Sequence, residues 1–176
     1  MAYEDIKADT ELFDYLGPIV QIGIVVKSNE AAKAGMRKVF GQDPSAESEN
    51  TYVDTWYRNH ETGEVSIIDA PVDALFYRMF NIELEFLAPR GDMDTVWHDY
   101  LKETGLLEES KNPGHALHHL RFNVPDNDRA TELLEARGIK KYMEGRSLVD
   151  PTARFSYYDA IDQLGFIVEC VTAPKE

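Results

Sequence analysis

The sequence predicts an α+β protein made of two βαβββ modules in tandem. A β-branched strand, a capped helix and a glycine stop occur in that order twice, and three strand-like segments follow each copy. The first copy opens on PIVQIGIVVK (18–27), whose Val and Ile content suits a strand. Ser28 can cap a helix over Asn29–Phe40, where Ala32, Met36, Val39 and Phe40 fall at helical spacing before the stop at Gly41. The second copy opens on ALHHLRFNV (116–124). Asp126 is its cap, Ala130, Leu133 and Leu134 form its apolar stripe, and Gly138 ends it. Little beyond the pattern is shared, so the repeat is one of structure.

The strands after the first helix are read at 51–58, 63–68 and 81–87, and those after the second at 139–144, 153–159 and 164–171. Between the halves, 92–104 reads as a helix with Val96, Trp97, Tyr100 and Leu101 on one face, and 105–115 as a linker. The segment DAPVDALFYRMF (69–80) reads as an apolar insertion that can form a lid or pocket wall. The predicted organisation is an N-terminal arm (1–17), a first module (18–90), a connecting helix and linker (91–115) and a second module (116–176).

Hydrophobic residues make up 43% of the 176, enough for a core. With 18 Lys+Arg against 32 Asp+Glu, the formal charge is −14, which works against phosphate backbones and anionic membranes. Nucleic acid is therefore not an expected partner. No apolar run approaches the ~20 residues of a membrane span, and the acidic N-terminus lacks a secretory pattern. Cytoplasmic location is the default expectation. Cys170 is the only cysteine, which rules out an internal disulfide, and its apolar neighbours suit a buried thiol.

Strand side chains alternate faces. Val20, Ile22, Ile24 and Val26 should face the helix, with Gln21, Gly23 and Val25 opposite. Leu120, Phe122 and Val124 should oppose His119, Arg121 and Asn123; Ile82, Leu84 and Phe86 should oppose Glu83 and Glu85; Phe166, Val168 and Cys170 should oppose Ile167 and Glu169. Each of these strands thus carries a metal-capable residue on its non-helix face: Gln21 and Glu85 in the first half, His119 and Glu169 in the second. Converging, they offer one imidazole nitrogen and three oxygens, a set that suits Mn²⁺, Co²⁺, Fe²⁺, Ni²⁺ or Zn²⁺, and a cation would offset the cost of burying the carboxylates. His118 should point to the helix side as a structural histidine. His60, His98 and His115, in turn, helix and linker contexts, are expected to be exposed.

On the strength of VQIGIVVKS, LEFLAP, GHALHHLRFNV and LGFIVEC, the chain resembles the vicinal oxygen chelate superfamily and, within it, the methylmalonyl-CoA epimerase group. The resemblance implies two βαβββ modules forming an open, cupped mixed β-sheet around a metal held at Gln21, Glu85, His119 and Glu169. It also implies an isomerase, a racemase or epimerase that inverts a carbon beside a carbonyl through a metal-stabilised enolate, with Glu169 as both ligand and one base. Mn²⁺ or Co²⁺ is the expected ion and a homodimer the usual assembly. For the second base the family's pattern has a third-strand glutamate where this chain has Ser66, with Glu64 two residues away on the same face; Asp69, Tyr57 and Tyr158 are further candidates.

Coenzyme A phosphates call for Lys or Arg, and Arg58, Arg78, Arg90, Arg121 and Arg154 can cluster even in this acidic chain. The cup is also rich in aromatics, with Trp56, Tyr57, Phe76 and Tyr158 as candidate substrate contacts beside Tyr77, Phe80 and Tyr157. They favour a flat ketone, as in racemases of the isoflavanone dihydrodaidzein, which resemble this group. A glyoxalase I-type lyase is the nearest enzymatic alternative. A non-catalytic, antibiotic-sequestering protein is the alternative from another class. An extradiol-type dioxygenase fits less well, since only His119 of the two required histidines is suitably placed.

Overall fold

The computed structural model describes residues 10–103, 115–148 and 152–172. Helix α1 (Thr10–Leu16) precedes β1 (Ile19–Val26), α2 (Asn29–Phe40), β2 (Ala46–Arg58), β3 (Val65–Met79) and β4 (Ile82–Pro89). Then follow α3 (Val96–Glu103), β5 (His115–Val124), α4 (Asn127–Glu135), β6 (Lys141–Arg146), β7 (Arg154–Tyr158), the short α5 (Ile161–Leu164) and β8 (Ile167–Thr172). The repeat is present as β1-α2-β2-β3-β4 and β5-α4-β6-β7-β8.

Both predicted caps form. Ser28 accepts from the Ala31 backbone N–H, and Gly41 ends α2 at φ 65° with its N–H on the Arg37 carbonyl. Asp126 accepts from the backbone N–H groups of Asp128 and Arg129. Helix α1 lies within the segment read as an arm. Its Leu12, Tyr15 and Leu16 pack against the core under α4, and the Tyr15 hydroxyl donates to the Asp126 carbonyl. Most of the linker read at 105–115 lies outside the described residues, although His115 already opens β5.

The segment 69–80 is not an insertion. Residues 65–79 form one strand, paired with β2 from Ala46 to Arg58 and with β4 from Ile82 to Pro89. Pro71 hid this, because a proline cannot donate to a ladder. Here its carbonyl still accepts, from the Arg90 N–H at 3.0 Å, and Ala70, Val72 and Ala74 keep the alternating burial of a strand. For the same reason β2 starts at Ala46: its polar opening AESEN is recruited by pairing with Val72–Phe76.

The sheet is closed rather than an open cup. Its eight strands run β1-β4-β3-β2-β6-β7-β8-β5 and back to β1. Antiparallel pairing of β1 with β5 forms one seam between the halves, and Trp56↔Glu144 and Tyr57↔Met143 close the other. Ring closure removes the free edges that an open sheet exposes. The predicted facing holds: Ile24 and Val26 pack with Met36 of α2, and Val124, Val168 and Cys170 pack with Ala130 and Leu134 of α4. Val96, Trp97 and Leu101 of α3 join Val25, Leu87 and Tyr157 in the interior core. Interior positions not filled by this core carry the polar residues.

Candidate metal centre

Register brings the polar residues together. Gly23 on β1 pairs with Glu85 on one side and His119 on the other, while Arg121 on β5 pairs with Glu169 on β8. Gly23 leaves room for a ring: a Cβ there would stand 1.9–2.2 Å from three atoms of the His119 imidazole. With that space open, His119 Nε2 lies 3.4 Å from Glu85 Oε2 and 3.2 Å from Glu169 Oε2. All three residues are buried, His119 completely.

A β-bulge sets the aim of the histidine. The β1–β5 register steps from Gly23↔His119 to Ile24↔Leu117, leaving His118 as the extra residue. Its ring is therefore not on the α2 and α4 side, as strict alternation predicts. It is fully buried, edge-on to Tyr100 of α3 and Tyr157, with Nδ1 2.9 Å from His119 Nδ1. Burial holds His118 well below the ordinary histidine pKa, so it is neutral and can accept from His119. A partner on the far nitrogen is how proteins orient a metal-binding imidazole.

Two buried carboxylates share one imidazole. Burial pushes His119 down, but Glu169 and Glu85 outweigh it and raise its pKa to about 9. Glu85 is raised by burial, with His119 opposing. Glu169 is also pushed up by burial, yet His119, Arg121 and Tyr157 together hold it below the usual carboxylate value. The pair distances lack hydrogen-bond geometry, and His119 Nε2 and Glu169 Oε2 are both left without a hydrogen-bond partner. Buried unpaired polar atoms are costly. Donors each ~2.1 Å from one cation stand roughly 3.0–3.4 Å apart, and the two measured separations match that spacing.

A divalent ion would satisfy these unpaired atoms, although among the described residues no group of three or more His, Cys, Asp or Glu is placed to hold a metal ion as the side chains stand. Gln21, buried on the same face, donates from Nε2 to Glu83 Oε1 at 2.6 Å and lines the same cavity as Glu85 and Glu169.

A cavity of about 520 Å³ opens onto Glu85 and Glu169 and is walled by Tyr52, Phe76, Trp97, Phe155 and Tyr157. The sequence model of the Glyoxalase/Bleomycin resistance protein/Dioxygenase superfamily matches residues 20–157. The chain belongs to this superfamily. No curated protein matches the sequence of this superfamily member. Among solved structures it shares its fold with methylmalonyl-CoA epimerase from Mycobacterium tuberculosis (18% identity, 91% of each chain, TM-score 0.57). The same holds for a variant of the Streptomyces coelicolor methylmalonyl-CoA epimerase in complex with 2-nitronate-propionyl-CoA (21%, 90% of this chain and 95% of that one, 0.56). A hypothetical protein from Bacillus halodurans is also similar (11%, 90% and 96%, 0.53).

Other predicted site residues of this superfamily member lie elsewhere. Glu64 and Ser66 are exposed and line a separate cavity with Asp92 and Asp94. The Tyr57 hydroxyl donates to Asp99 at 2.5 Å, and Tyr57 borders that second cavity. Trp56 faces outward under Arg58 and Lys141, and Tyr158 packs beneath α4 with its hydroxyl at Thr131. Of the four predicted aromatic contacts, Phe76 alone reaches the cavity beside Glu85 and Glu169.

The neighbour that does reach it on β7 is Tyr157, the register partner of Glu169. Both faces of β7 are buried, so composition could not tell its faces apart. His98 is buried rather than exposed, held by Thr95 and the Gly91 carbonyl. The five arginines do not all gather: Arg90 pairs with Asp73 and Arg154 with Asp128 and Glu144, while Arg78 and Arg121 share a smaller cavity with Gln21 and Glu83, and Arg121 also lines the cavity at Glu169. Sequence reasoning missed Gly23 and His118 as parts of the site and offered Arg121 only as a phosphate contact. A glycine amid β-branched residues was the available signal for the first.

Proposed function

We propose that this superfamily member is a metal-dependent racemase or epimerase acting at a carbon beside a carbonyl. The observation that carries the reading is the buried Glu85–His119–Glu169 cluster at the wall of an aromatic cavity. Glu85, His119 and Glu169 would hold a divalent cation, Mn²⁺ or Co²⁺ by preference, with Gln21 joining if it turns from Glu83. A cation there supplies positive charge beside the substrate carbonyl, which favours loss of the neighbouring proton.

The chain's own residues do the rest. Glu169, kept ionised by its neighbours, takes the proton from carbon. His118 fixes the orientation of His119. The aromatic walls exclude water and offer flat surfaces to a substrate. That lining favours an aromatic ketone such as dihydrodaidzein over an acyl-CoA such as methylmalonyl-CoA, and of the five arginines only Arg121 reaches the cavity.

The test is solvent deuterium exchange with Mn²⁺ present, using methylmalonyl-CoA and dihydrodaidzein. Deuterium should enter at the carbon beside the carbonyl, and Glu169→Gln should slow entry by about 10²–10⁴-fold, the usual effect of losing a general base. Absence of exchange with both substrates, or an undiminished rate in Glu169→Gln, refutes the reading.

A further inference from the structure

Inversion needs a second proton carrier on the face of the carbon opposite Glu169, and neither Glu64 nor Ser66 reaches the cavity. Of the side chains that do, Tyr157 stands on the same wall as Glu169. Glu47 is half exposed and engaged by Lys33 at 2.5 Å. Asn50 carries an amide, and the hydroxyls of Ser48, Ser147 and Thr172 are aliphatic, far weaker acids than a phenol. Tyr52 of β2 remains. In the ring of eight strands β2 lies three places from β8, which carries Glu169, and four from β5, which carries His119, so Tyr52 comes from a different wall of the barrel than either.

Tyr52 is held in place. Its ring stands edge-on to Phe155 with centroids 4.9 Å apart and tilts against Trp97 at 6.1 Å. Its hydroxyl accepts from Asn50 Nδ2 at 3.4 Å, and its own proton goes to none of the described residues. A tyrosine hydroxyl keeps its proton at neutral pH and can donate it. The cavity thus has a carboxylate acceptor on one wall and an undirected O–H donor on another.

We infer that Tyr52 is the second catalytic residue, delivering a proton to the face of the substrate carbon opposite Glu169. This rests on the isomerase reading above. In one direction the C–H bond breaks as its proton passes to Glu169 and its electron pair moves toward the carbonyl. The Tyr52 O–H then breaks as its proton bonds to the other face of that carbon, leaving a phenolate and a carboxylic acid that exchange with solvent. The reverse direction uses the same two groups in exchanged roles.

The test uses the metal-loaded full chain in D₂O with each stereoisomer of methylmalonyl-CoA and of dihydrodaidzein, following mass and configuration together. Tyr52→Phe keeps the ring packing, and thermal melting checks that it folds. The wild type should exchange and interconvert both stereoisomers of its substrate. Tyr52→Phe should exchange one stereoisomer within a few-fold of the wild-type rate and with retention, while interconversion falls at least about 10²-fold.

Interconversion near the wild-type rate in Tyr52→Phe overturns the proposal, as does equal loss of exchange from both stereoisomers. A readout on the wild type alone adds a check. The first inverted product should carry deuterium in every molecule, and protium transferred from one face to the other would mean a single carrier, against Tyr52. If the wild type exchanges neither substrate, the isomerase reading fails, and the role of Tyr52 with it.

Discussion

Gly23 has no side chain, and the site depends on that. Its missing Cβ is the space in which the His119 ring sits. Gly23→Ala should force the imidazole out or shift the strand, at a cost of about 1–3 kcal/mol for overpacking, and should weaken cation binding with it. Calorimetry with and without Mn²⁺ measures both. His119 also makes the metal-free protein sensitive to pH. Its pKa is raised from 6.5 to about 9 in the folded state, so its contribution to stability is full below 6.5 and is lost as pH rises through about 9. Denaturation of metal-free wild type should show that loss, and the difference from His119→Gln should isolate it. A cation competes with the same proton, so apparent affinity should climb with pH up to about 9. Gln21, Glu85, His119 and Glu169 were legible as residues on one face because strand alternation is simple. That Gln21 would bond Glu83 was not legible, since Gln21 and Glu83 pair only when β1 and β4 lie side by side.

At the scale of the element, the bulge in β5 matters most. Strict alternation sends His118 to the helix side, whereas one extra residue against β1 turns its ring onto His119. Replacing it by a residue of similar volume without ring nitrogens, His118→Leu, should leave the fold intact and lower cation affinity by about 10–100-fold, as losses of such supporting partners do. Isothermal titration with Mn²⁺ checks this, and unchanged affinity would assign His118 to packing alone. Helices α2 and α4 were legible from caps and stripes because those signals are local. The second half of strand β3 was not, because Pro71 and a run of aromatics read as an interruption, and only pairing on both sides carries the strand read at 63–68 on to Met79. The polar start of β2 was hidden for the same reason, and it carries Asn50 and Tyr52 to the cavity.

For the whole molecule, the repeat of strand, helix and three strands specified the class of fold. It did not specify closure. Two paired positions at Trp56 and Tyr57 make the second seam, and no pattern in β2 or β6 announces it. The closed ring gathers β1, β4, β5 and β8 side by side, so carboxylates distant in sequence become buried neighbours in a chain that already carries a net charge of −14. Such a site should bind positive charge, and binding should stabilise the fold by about 2.7 kcal/mol at one hundred times the dissociation constant. The central claim is that Glu85, His119 and Glu169 together hold one cation. Equilibrium dialysis of the metal-stripped protein against Mn²⁺, read by atomic spectrometry, tests it most directly. One ion per chain, lost in His119→Ala and in Glu169→Gln, is the predicted result; no stoichiometric binding, or binding indifferent to both substitutions, would contradict it.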